Sequence, residues 1–68
     1  MNSNTTAKVK TLLAIKTANY RAAGESHPEV AAQNAVEGIL NAFKSQMKYI
    51  DQLLNEEIED SIKAGKAA

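Results

Sequence analysis

Three side chains in the first third of the chain could together hold an anion: Lys16, Tyr20 and Arg21. Lys16 and Tyr20 are one helical turn apart, so an ammonium and a flat aromatic surface would share a helix face, with a guanidinium beside them. A phosphate-bearing or nucleotide ligand needs that combination, although the spacing matches no specific motif. Lys16 also falls in the middle of an apolar stripe. A lysine there commonly lays its methylenes along the packed surface and carries its amine out to water. The remaining basic face, with Lys8, Lys10, Asn19 and Arg21, reads either as solvated surface or as a contact for RNA or DNA.

No other constellation supports chemistry. His27 is the only histidine, lies next to Pro28, and has no second imidazole or thiol to complete a ligand set. Glu56, Glu57, Glu59 and Asp60 could bind a hard cation weakly, but no oxygen-rich loop frames them. No serine sits in a nucleophile elbow, and no glycine-rich loop cradles a phosphate. The absence of cysteine removes disulfide frameworks, thiolate metal sites and thiol catalysis together. The expectation is a protein that is not an enzyme and carries neither metal nor cofactor.

The elements that must position these residues are helices. Sixty-eight residues make one domain at most, near the lower limit for a self-sufficient core. Alanine is abundant and β-branched runs are absent. Asn4, Thr5 and Thr6 can each cap a first helix over about residues 5–23, and Gly24 suits the left-handed residue that ends it. Val9, Leu12, Leu13, Tyr20 and Ala23 share its apolar face. After a turn at 24–27, Ser26 and Glu29 read as a capping box, with His27 the alternative cap, and Pro28 opens a second helix over about 28–64. Along it Val36, Leu40, Phe43, Met47, Ile50 and Leu54 alternate at spacings of four and three, a heptad seam. Leu53 flanks the seam, and Ile58 and Ile62 extend it. Gly38 reads as a close approach to the facing helix and Gly65 as the end of the second helix.

This spacing predicts an all-α antiparallel helical hairpin with a short first and a long second helix. At 1.5 Å per residue the two span about 28 and about 55 Å, so a folded-back hairpin leaves the stretch from Ile50 to Ile62 uncovered. Burying those side chains contributes about 1.5–3 kcal/mol each, which makes a second copy the expected cover. The oligomer interface is expected to be Val36, Leu40, Phe43, Met47, Ile50, Leu53, Leu54, Ile58 and Ile62, assembling a helical bundle.

Charge agrees with an assembly. Eight basic and eight acidic side chains cancel, which argues against a general nucleic-acid binder. Residues 1–24 carry Lys8, Lys10, Lys16 and Arg21 and no acid, whereas residues 51–60 carry Asp51, Glu56, Glu57, Glu59 and Asp60 and no base. No apolar run approaches a membrane span, and the first residues lack the layout of a signal peptide, so a soluble cytoplasmic chain without a membrane partner is expected. The expected function is a non-catalytic homo-oligomeric adaptor, inhibitor or assembly factor, with itself and another protein as partners. Its size would suit a phage or plasmid accessory protein. The alternative is binding of nucleic acid or a nucleotide by the basic first helix at subunit junctions.

Overall fold

The computed structural model describes residues 2–67 and contains three α-helices: α1 (Ser3–Ala22), α2 (Pro28–Ala42) and α3 (Ile50–Ala67). A short 3-10 connector, Lys44–Tyr49, joins the last two. No strand occurs among the described residues. The chain is therefore all-helical, as its composition dictates, but the layout departs from a long hairpin.

Both ends of the first helix follow local chemistry. Asn2, ahead of the expected caps, accepts from the Thr5 backbone N–H at 2.8 Å and opens α1. At the other end Gly24 takes φ +87°, a conformation that an L side chain resists. Glu25 then donates its N–H to the Tyr20 carbonyl at 3.0 Å and Gly24 to Arg21 at 3.1 Å, the paired bonds of a Schellman motif. His27 is the cap of α2, with Pro28 directly inside it. The Ser26–Glu29 capping box is not formed, because the Glu29 carboxylate pairs instead with the Arg21 guanidinium at 2.7 Å.

The second helix is not continuous over 28–64. It ends at Ala42, and Gln46 takes φ −122° and ψ 30°, outside helical space. No glycine or proline lies between Ala42 and Ile50, so the break has no local cause. Its cause is burial. The reversal carries Ile50 and Leu54 back onto α1, where both are buried with Leu12 and Val36. At about 1.5–3 kcal/mol for each side chain, that gain exceeds the loss of a few helical hydrogen bonds worth about 0.5–1.5 kcal/mol each. Some of those bonds are replaced within the connector, where the Gln46 N–H donates to the Phe43 carbonyl at 2.8 Å and the Ile50 N–H to Met47.

The result places α1 between two neighbours. It packs against both α2 and α3, while the Cα traces of α2 and α3 nowhere come within 8 Å of each other. Leu12 is the meeting point, fully buried, with Val9, Leu13, Ile39, Leu40, Phe43 and Ile58 half-buried around the cluster. The stretch from Ile50 to Ile62 is thus covered mainly by its own chain, and the uncovered overhang that called for a partner does not exist in this form. Gly38, expected at a close approach, has nothing within 4 Å of where a Cβ would lie.

One comparison of variants reports the break directly. Leu54→Ala should lower unfolding free energy by about 2–5 kcal/mol, since the side chain is fully enclosed. Met47→Ala should stay within about 0.5 kcal/mol, since Met47 lies on the exposed connector. Urea denaturation of dilute protein measures both, and equal losses would indicate an unbroken seam.

Candidate functional site

The seam between α1 and α3 carries most of the polar contacts between elements. Thr5, almost wholly buried in the first turn of α1, places Oγ1 2.6 Å from Asp51 Oδ1 and 2.9 Å from Asn2 Oδ1. The hydroxyl has one proton, and the shorter, charge-assisted contact to the carboxylate takes it. Asp51 stands in the first turn of α3. Its charge therefore lies by the positive ends of both helix dipoles at once.

Four turns further along α1, Asn19 Nδ2 donates to the backbone carbonyl of Ser61 at 2.9 Å. A Cβ built on Gly65 would stand only 2.5 Å from Asn19 Oδ1. Gly65 is thus not the end of the helix but a position where the backbone of α3 passes too close to Asn19 of α1 for a Cβ. The two pins, Thr5–Asp51 and Asn19–Ser61, also show that α1 and α3 run in the same direction. Ser61 itself is buried, and its hydroxyl has no hydrogen-bond partner.

Beside this second pin the ends of α1 and α3 frame an open cleft of about 280 Å³. Asn19, Tyr20, Ala22, Ala23, Ala64 and Gly65 line it. The walls are one aromatic ring, one amide, three methyl groups and a bare backbone, with no ionised side chain. A small apolar group would fit such walls better than a phosphate would.

The anion trio is only partly assembled. Tyr20 lines the cleft, but neither Lys16 nor Arg21 does. Lys16 is half-buried and engages in no ion pair among the described residues, consistent with methylenes packed and amine outward. Arg21 is exposed and committed to Glu29. His27 and the acids Glu56, Glu59 and Asp60 are exposed, Glu57 is half-buried, and no group of acidic or histidine side chains among the described residues could hold a metal ion.

The expected interface residues divide into two sets. Val36, Ile50 and Leu54 are buried inside the single chain, and Leu40, Phe43, Leu53 and Ile58 are half-buried. Met47, on the connector, and Ile62, in α3, remain 45 and 41 % exposed, and Tyr49, at 56 %, joins Met47 on the connector. There Lys48 Nζ sits 5.7 Å from the Tyr49 ring centroid, a weak solvent-exposed cation–π contact. Spacing alone does not single out Thr5, Asn19, Ser61 and Gly65 as a group. Their shared signal is small or polar residues at helical spacings on two faces: Thr5 and Asn19 on one, Ser61 and Gly65 on the other.

The Asn19 pin has a measurable signature. Gly65→Ala should change stability little, because a helix-propensity gain of about 1 kcal/mol is offset by displacement of Asn19 from its bond to Ser61. In an Asn19→Ala background the same change should stabilise by about 1 kcal/mol. Ser61→Ala, which deletes the orphaned hydroxyl, should stabilise by about 1 kcal/mol on its own. Thermal denaturation of the variants completes the cycle, and additivity between positions 19 and 65 would disprove the steric link.

Comparison with family models, with curated proteins and with solved structures finds no significant match to this chain.

Proposed function

We propose that this chain is a small non-catalytic binding protein, an adaptor, inhibitor or assembly factor, that self-associates and acts through its helical surfaces. The observation that carries this reading is the connector. Every residue from Lys44 to Tyr49 is exposed, and two large apolar side chains, Met47 and Tyr49, stand there on either side of Lys48 with about half of their surface open. Exposed singly, such residues are ordinary; two on one six-residue turn, flanked by cations, suit a contact surface. Soluble, cytoplasmic action fits the reading, and no helix among the described residues is long and apolar enough to cross a membrane.

A second reading keeps Lys16, Tyr20 and Arg21 as a site for a nucleotide or nucleic acid. The Tyr20 ring in the cleft wall, a surface on which a base could stack, is what supports it. The lack of a cation in the lining and the pairing of Arg21 with Glu29 count against it, so the connector is the stronger support.

Sedimentation equilibrium across the micromolar range tests the first reading. The expected result is a mass above the 7.3 kDa of one chain that rises with concentration. A single-chain mass throughout, together with a rise in melting temperature on adding nucleotides or short RNAs that Lys16→Leu abolishes, would transfer support to the second reading.

A further inference from the structure

We infer that the connector is a hinge, and that a second copy of this chain can supply the α3 that covers α1. The proposal rests on the self-association proposed above and specifies its form: an exchange of α3 between two copies, with Lys44–Tyr49 straightened into helix.

Four observations meet in this inference. First, the connector holds nothing that forbids helix, since KSQMKY contains no glycine or proline, yet Gln46 sits at φ −122° and ψ 30°. Straightening returns that residue to helical space and restores the i to i−4 bonds the break removes. Second, the apolar spacing keeps its phase across the break. Val36, Leu40 and Phe43 precede it and Ile50 and Leu54 follow it, with Met47 at the intervening seam position. A segment that served only as a turn would have no need of an apolar residue at that position. In the compact form Met47 is 45 % exposed; in a continuous helix it rejoins the seam.

Third, the contacts available to a second copy are the same contacts seen within the chain. Thr5 would meet Asp51 of the other copy, and Asn19 would meet its Ser61 and Gly65, with the geometry that the seam already shows. Complementarity therefore needs no new surface, which is why exchange is a low-cost route to a dimer when a hinge is short. Fourth, the directions close. With α2 returning along α1 and α3 running in the direction of α1, a straightened α2–α3 helix points its far half along the α1 of a copy related by a two-fold axis. Two long helices and two short ones then complete a closed bundle, with no end left open for further addition.

The absence of cysteine allows a clean test in the full chain. Thr5→Cys with Asp51→Cys places two thiols across the α1–α3 seam, and Asn19→Cys with Gly65→Cys provides a second pair should the first fail to fold. After mild oxidation at high protein concentration, the dimer fraction is separated by size and run on a denaturing, non-reducing gel. The expected result is covalent dimer in that fraction and covalent monomer in the dilute sample. A dimer fraction whose disulfides all lie within single chains would overturn the exchange while leaving self-association standing. A single-chain mass at every concentration would overturn both.

The hinge gives an independent readout without cysteines. Gln46→Ala should favour, and Gln46→Gly disfavour, the straightened form by about fivefold per copy between them, hence about 25-fold in the dimerisation constant. Equal dimerisation constants for the two variants would contradict a helical hinge.

Discussion

The structure depends on one constraint: α1 is apolar on two sides. Leu12 sits at the junction of the two sides, fully buried, with Val36 of α2 reaching it from one neighbour and Ile50 and Leu54 of α3 from the other. A simple hairpin would cover only one side. In 68 residues the second cover must come either from a third helix of the same chain or from another chain. The compact form takes the first course, and the break at Phe43–Tyr49 is the consequence. Its cost is local and spread over a few backbone bonds; its gain is the burial of two large aliphatic side chains.

Placing α3 parallel to α1 raises an electrostatic difficulty, because like ends of two helix dipoles then lie together. Asp51 addresses it at one end, with its carboxylate held by Thr5 between the two amino-terminal turns. The opposite ends converge at the cleft beside Asn19 and Tyr20, where Asn19 ties the helices through the Ser61 carbonyl and Gly65 provides the room. The segregated charge of the sequence also changes meaning. The acid-rich stretch from Asp51 to Asp60 and the basic α1 are side by side in one chain, so charge complementarity alone no longer argues for a second copy. What continues to argue for one is the exposed Met47 at an apolar seam position.

Much of the fold is legible in the residues, and the reasons are local. Gly24 must end α1 because only glycine accepts its positive φ freely, and Pro28 must stand at the start of a helix because its missing N–H does no harm there. The break is not legible, because nothing between Ala42 and Ile50 prefers it and the heptad phase runs through it. The energy that decides it comes from contacts with Leu12, more than thirty residues away in sequence. The same holds for the anion trio. Lys16 and Tyr20 do share spacing, but Glu29, which reads locally as a partner for Ser26, takes Arg21 instead. Each departure arises where a contact between helices outweighs a preference within one.

The most direct test of a single chain folded back at Phe43–Tyr49 is residue-resolved amide hydrogen exchange on a sample dilute enough to be monomeric. The account predicts that the amides of α2 and of the first three turns of α3 exchange slowly, while those from Lys44 to Tyr49, in an exposed 3-10 connector, exchange much faster. Uniform protection running from Val30 through Ile62 in that monomeric sample would contradict it, and would show one continuous second helix.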